Sequence, residues 1–232
     1  MKKYIFVTLI AVCLTAVGYG WKATAKNPTV GERFSSIGAS AKISKEEQMG
    51  QYRFDKAHSS SNFKVTHMGL VSVPGHFRSF EGEVDFDATK IKNSTVEFSA
   101  EMKSVDTGIN RRDNHLRSKD FFEVKTYPQM TFKSTKIKKK GKRYVVTGDF
   151  TMKGVTKEID IPMRLYGPIK DNRDSIRMGA VGSTAINRRD FNVNYGGNLP
   201  NGTAVLSDTV VVDLQIESVK MKPKAETEKK EQ

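Results

Sequence analysis

Apolar and polar residues alternate with a period of two, over and over, between residues 51 and 219. Phe63, Val65 and His67 alternate with Lys64 and Thr66, and Val84 and Phe86 with Glu83, Asp85 and Asp87. Val96, Phe98, Ala100 and Met102 alternate with Glu97, Ser99, Glu101 and Lys103. Met130 and Phe132, then Tyr144, Val146 and Phe150, then Ile159, Ile161 and Met163, continue the pattern. Ile176, Met178, Ala180 and Ile186 form another apolar face, and Val210, Val212, Leu214 and Ile216 form the last. In a strand, successive side chains point to opposite faces, so this alternation predicts eight or nine strands with one buried side each. Several run to about ten residues, beyond the usual five or six. Long strands in one antiparallel domain favour a closed, tilted barrel over a short-stranded sandwich. Gly141, inside KIKKKGKRY, reads as a hairpin tip. The stretch Asn110 to Phe122 reads as helical, with Leu116, Phe121 and Phe122 placed to cap an open end.

The flanks break the pattern. Lys2 and Lys3 precede a nearly uncharged apolar run, Tyr4 to Trp21, which ends in Ala23-Thr24-Ala25. That is the layout of an export signal cleaved after Ala25. A retained membrane anchor and a lipidated Cys13 are the rival readings; Val12 is larger than the residue a lipidation motif places before its Cys. The expected organisation is a signal peptide over 1–25, a linker over 26–50, one domain over 51–219 and a charged, disordered tail over 220–232. A domain of that length can bury a full core.

Charge then enters. The chain of 232 residues carries 39 Lys+Arg against 26 Asp+Glu, a net charge of +13. Such a balance is common in nucleic-acid binders, but those interleave aromatics with their cations. Here the densest basic run, Lys136 to Arg143, has only Tyr144 beside it. The run suits transient contact with an anionic membrane surface, or a solvated hairpin that discourages edge pairing. Cleavage would remove Cys13, the single cysteine, leaving nothing to misoxidise in an oxidising compartment. There is no G-x-S-x-G elbow or P-loop, and we expect no enzyme activity. His58, His67 and His76 recur every nine residues, with His115 elsewhere, but no carboxylate sits at ligand spacing and no metal site is expected.

Several blocks together resemble one family. They are YRFDKAHSSSNFKVTHMG at 52–69, PGHFRSFEG at 74–82, RRDNHLRSKDFFEV at 111–124, YPQMTFKST at 127–135, VTGDFTMKGVTK at 146–157 and INRRDF at 186–191. In order and spacing the chain is similar to the YceI family, the polyisoprenoid-binding, lipocalin-like extracytoplasmic proteins. The resemblance implies an all-β fold, an eight-stranded antiparallel barrel with a short helical cap. It also implies a cavity for an isoprenoid, quinone-like or fatty amphiphile. No cofactor beyond such a lipid and no nucleic-acid partner are expected, and a homodimer stays open.

The inward candidates are Phe63, Phe86, Phe98, Met102, Met130, Phe132, Phe150, Met163 and Met178. Methionine-rich walls adapt to irregular apolar ligands. Alternation alone is equally what a self-filled barrel needs, as in an interaction or stress-protection protein; the resemblance tips the reading toward a ligand cavity. The motif INRRD occurs at 109–113 and again at 186–190. Its arginines either line a mouth and offer forked donors to a headgroup, or form Arg–Asp networks that tie loops to the rim. The family pattern points to Arg112 and Arg189 as the headgroup contacts. The expected polar rim is therefore His58, His67, Arg112, Asp113, His115, Arg189 and Asp190.

Overall fold

The structure is a computed structural model and describes residues 43–222. The expected signal peptide, residues 26–42 of the expected linker and the tail beyond Lys222 lie outside the described residues. The alternating stretches form strands β1 (Gly50–Phe54), β2 (Ser60–His67), β3 (Val71–Phe77), β4 (Phe80–Phe86), β5 (Thr95–Glu101) and β6 (Val105–Asp106). They continue as β7 (Gln129–Lys140), β8 (Arg143–Met152), β9 (Val155–Lys170), β10 (Ile176–Asn187) and β11 (Leu206–Lys220). Every pairing is antiparallel, and β11 closes back on β1.

Eleven segments make eight staves. β11 pairs with β1 at its end and with β2 along the rest, so β1 and β2 are one long strand interrupted at 55–59. β3 and β4 likewise pair with β2 and β1 and are interrupted only at Arg78 and Ser79. β5 and β6 are separated by a 3-10 turn, Met102–Ser104. The second and third breaks lock together: the Arg78 amide donates to the Ser104 carbonyl at 3.1 Å and the Glu101 amide to the Ser79 carbonyl at 2.9 Å. The interruptions thus line up as one seam across three neighbouring staves. β7 to β11 carry no such break, and β10 matches β11 residue for residue from Arg177 to Asn187.

Two ends result. One carries the β4–β5 connection, the β7–β8 hairpin with Gly141 at its tip (φ +61°), and helix α1 (Lys45–Gln48). Here the expected linker is corrected. Ser44 and Glu47 form a reciprocal capping box that starts α1, and β1 begins at Gly50. Tyr52 is fully buried beneath α1 and donates its hydroxyl to the Gln48 carbonyl at 2.6 Å. Burial pushes this phenol up to about 12.

The opposite end carries the β2–β3 turn, helix α2 (Asn110–Arg117), segment 118–128 and loop 192–205. Arg117 ties α2 down by donating to the carbonyls of Lys103 and Val105 at 2.7 Å. Beneath α2 lies the main buried cluster, which includes Phe77, Phe80, Met102, Val105, Phe121 and Phe191. A second cluster, Phe132, Ile137, Val146, Ile161 and Met163, lines the β7–β9 wall.

Candidate functional site: a full-length channel

A cavity of about 540 Å³ runs inside the barrel. That is within the range of small-molecule sites, about 300–1,000 Å³. Its wall includes Met178 and Ser218 near α1 and Leu206, Val193 and Tyr195 at the α2 end. From Ser218 to Leu206 along β11, a rise of about 3.3 Å per residue and a tilt of about 40° give roughly 30 Å along the axis. The space is therefore a channel rather than a chamber.

The channel exists because the side chains that face inward do not fill the space between them. Phe63, Phe86, Phe98 and Phe150 point inward, line the space and are only half-buried. In a self-filled core they would be fully covered. Small residues set the rings back against the wall. Gly75 is the in-register partner of Phe63, and a methyl group added there would collide with the Phe63 ring. Gly182 stands in the same relation to Met163.

Eight of the nine residues expected inside line the channel: Phe63, Phe86, Phe98, Met130, Phe132, Phe150, Met163 and Met178. Met102 does not. It keeps the phase of β5, but the strand ends at Glu101, and the 3-10 turn folds Met102 into the cluster beneath α2, where it is fully buried.

The polar rim needs more correction. His67, Arg112 and His115 line the channel at the α2 end. The Arg112 guanidinium donates from Nε to the Thr107 hydroxyl at 2.7 Å and from Nη2 to the Thr107 carbonyl at 2.8 Å. Thr107 in turn donates its amide and hydroxyl to Asp113, at 2.9 and 2.5 Å. Asp113 is thus buried behind Arg112 as a clasp on Thr107, away from the channel wall. Nη1 of Arg112 has no partner among the described residues. His115 sits edge-on to Phe121 and Tyr195, with ring centroids at 5.0 and 4.7 Å, and Nε2 lies 3.0 Å from Asp120.

Arg189 and Asp190 do not reach the channel. Arg189 pairs with Asp208 at 2.6 Å and Asp190 with Lys157 at 3.6 Å, all at the surface. Arg188 takes the inner position instead and is 4% exposed. The two copies of INRRD part company because the first starts an α-helix and the second a 3-10 turn, Arg188–Phe191, which rotates the next residue outward. Arg188 donates to the carbonyls of Val193 (2.6 Å), Tyr195 (2.7 Å) and Ser207 (3.0 Å) and lies 3.1 Å from Asp208. Burial lowers its pKa. Those acceptors fix the loop that carries Tyr195. In neither copy does an arginine pair with the adjacent aspartate.

His58 is also elsewhere, exposed on the β1–β2 connection with Nδ1 3.0 Å from Asp55. Asp55, His58 and Glu217 come close enough to suggest a metal. The Arg177 guanidinium already fills that position, at 2.8 Å from Asp55 and 2.6 Å from Glu217, with Asp171 at 2.7 Å. Hydrogen bonds from His58 and Arg177 pull Asp55 down to about 2; Arg177 and backbone amides do the same for Asp171. Asp55 in turn raises His58. This is an ion-pair network that clamps the β1–β2 interruption to β10 and β11. Sequence reasoning missed Thr107, Arg188 and Tyr195, which lie in turns or loops without periodicity.

The comparisons agree with this architecture. The profile of the YceI-like domain matches residues 52–218. A UPF0312 protein of Vibrio parahaemolyticus is 39% identical over 165 residues, which cover 71% of this chain and 83% of the relative. Protein YceI of Escherichia coli is 36% identical over 159 residues, 68% of this chain and 78% of its own. Among solved structures, BcnA of Burkholderia cenocepacia superposes with a TM-score of 0.63 at 27% identity, over 71% of this chain and 98% of that one. A polyisoprenoid binding domain from Saccharophagus degradans shares the fold, with a TM-score of 0.56 at 18% identity over 73% of this chain and 98% of its own. On the domain match and these relatives, the chain belongs to the YceI-like domain family.

Proposed function

We propose that this chain is an extracytoplasmic carrier that holds one long amphiphile, tail inward, with its polar head at the α2 end. The observation that carries this reading is the apolar channel that runs the length of the barrel and is not filled by side chains. A bilayer leaflet is about half of the roughly 30 Å hydrocarbon core, so a single fatty acyl chain would fill about half of the channel. A chain of polyisoprenoid length suits it better, and the polyisoprenoid binding domain from Saccharophagus degradans supports that choice. Arg112, with Nη1 uncommitted, offers a charge-assisted donor to a phosphate or carboxylate head. Lys2-Lys3, the apolar run and Ala23-Thr24-Ala25 support export with cleavage.

Native mass spectrometry with lipid extraction tests the reading. A co-purifying apolar mass of one per chain is expected, and a protein that stays empty when offered polyprenyl lipids would refute it. Arg112→Gln should weaken a polyprenyl phosphate about tenfold or more, since a hydrogen bond to a charged group contributes about 1.5–3 kcal/mol. The parent polyprenol should change little; equal losses for both would make Arg112 purely structural. N-terminal sequencing of the exported protein should begin at Lys26, and a chain that still begins at Met1 would remove the export argument.

A further inference from the structure

Among the described residues, four of the five exposed large apolar side chains gather at one end of the barrel; the fifth and least exposed, Val211, lies on the outer face of β11. Leu70 is 79% exposed, Val71 60%, Ile109 54% and Tyr195 43%. All four belong to elements of the α2 end. Leu70 and Val71 occupy the β2–β3 turn, Ile109 directly precedes α2, and Tyr195 lies on the loop that Arg188 holds in place. The turn is tight, with Met68 and Gly69 at positive φ (52° and 69°) and the Leu70 amide bonded to the His67 carbonyl at 2.9 Å. It presents Leu70 to solvent on a fixed backbone.

This apolar surface is continuous with the channel. Val65 and Val73, on the two strands that the turn joins, line the channel wall, and so does Tyr195 itself. Tyr195 is also the one lining side chain in the exposed range, which puts the opening beside it. Arg111 and Lys119, exposed next to Ile109 and His115, have no carboxylate partner among the described residues. The opposite end differs. Its β7–β8 hairpin carries Lys138, Lys139, Lys140, Lys142 and Arg143 and no exposed large apolar side chain.

We infer that the α2 end docks on a lipid bilayer, with Leu70, Val71 and Ile109 entering the interface, Arg111 and Lys119 meeting anionic headgroups, and the channel opening directly onto the membrane. The inference rests on the carrier reading for its occupant: an amphiphile with a tail this long resides in a bilayer and reaches the channel without crossing water only if the opening touches the membrane. Apolar side chains beside cations at a membrane surface add burial to electrostatic attraction.

A site-specific probe tests it in the full chain. Leu70→Cys and, separately, Lys142→Cys are placed in a Cys13→Ser background and labelled with an environment-sensitive fluorophore. They are then mixed with vesicles of phosphatidylcholine containing phosphatidylglycerol. Emission should shift to the blue at position 70 and stay unchanged at 142. Leu70→Ser with Val71→Ser should slow transfer of a fluorescent polyprenyl lipid between vesicles by about tenfold or more, with melting temperature and co-purified lipid unchanged because both side chains are exposed. A shift at 142 alone would make the basic hairpin the docking end and overturn the inference. Shifts at both positions, marking indiscriminate adsorption, would do the same. No shift at either position in a protein that carries lipid would also overturn docking while leaving the carrier reading intact. A shift at 70 in a protein that never holds lipid would leave docking standing and remove the carrier reading.

Discussion

Filling the channel from its wall separates a ligand conduit from a passive void. Ala180 on β10 faces the space, stands in register with Leu165 and Ile216, and touches both main apolar clusters. Ala180→Phe adds a ring at that level. Burying a phenylalanine side chain favours the fold by about 1.5–3 kcal/mol, and crowding offsets this by about 1–3 kcal/mol. The melting temperature should therefore move little. The occupant fares differently, since the ring denies it the channel toward Met178 and Ser218. Each methylene kept in water costs about 0.8 kcal/mol. Excluding four of them costs about 3 kcal/mol, or a factor of about 150 in affinity. Titrating polyprenols of increasing length into both proteins reads this directly. Long chains should lose affinity steeply and chains that end above the ring should not. A folded Ala180→Phe protein that binds the longest chain as tightly as the parent would show that no tail passes this level.

Two further outcomes concern the rim and the outer wall. Arg188→Ala should lower stability by about 3 kcal/mol or more, because it leaves the carbonyls of Val193, Tyr195 and Ser207 without their donor, at about 1–3 kcal/mol for each that stays buried, a fall of about 10 °C at this size. Arg189→Ala should cost under about 1 kcal/mol; equal falls in thermal unfolding would contradict the inner placement of Arg188. The Arg177 network predicts a pH dependence of known sign. Asp55 and Asp171 titrate near 2 when folded, below the ordinary unfolded value of about 3.9, so they stabilise the fold above about pH 4 and lose that effect as pH falls to 2. His58 is raised above about 6.5, so its share is complete below that value and fades as pH climbs through the folded one. Arg177 itself works against the protonated His58, so the gap in urea midpoint between the parent and Arg177→Gln should be widest above the range in which His58 titrates and close toward pH 2; a gap of constant width would refute the assignment.

How much of this could be read from the sequence depended on whether a residue's role follows from periodicity. Alternation predicts the inward faces of β7 to β11 because these strands are long enough for the period to show on either side of their irregularities, as on β7, where a register shift after Ser134 moves the inward phase from Phe132 to Ile137. It misleads at Met102, where the apolar phase continues through the point at which the backbone leaves the strand. Helix α1 had a legible signal, Ser44 with Glu47 three residues on, inside a stretch read as linker. The rim was legible only in part. Two identical INRRD motifs look equivalent as text, yet helical and 3-10 geometry turn different arginines inward. Tyr195 and Thr107 owe their places to loops held by arginines a few residues away, Arg188 and Arg112, and no apolar periodicity encodes that.

The seam that crosses the first three staves also changes what kind of bond holds the barrel closed. Along 55–59, 78–79 and 102–104 the regular ladder gives way in part to bonds that depend on individual side chains: the Ser104 hydroxyl accepts from the Ser79 amide, and Arg177 grips Asp55 and Glu217. A ladder is made of main chain and survives most substitutions, whereas these closures are lost with one residue. On this side, then, the fold's closure is written partly in side chains, and single substitutions reach it there as they do not in the paired strands.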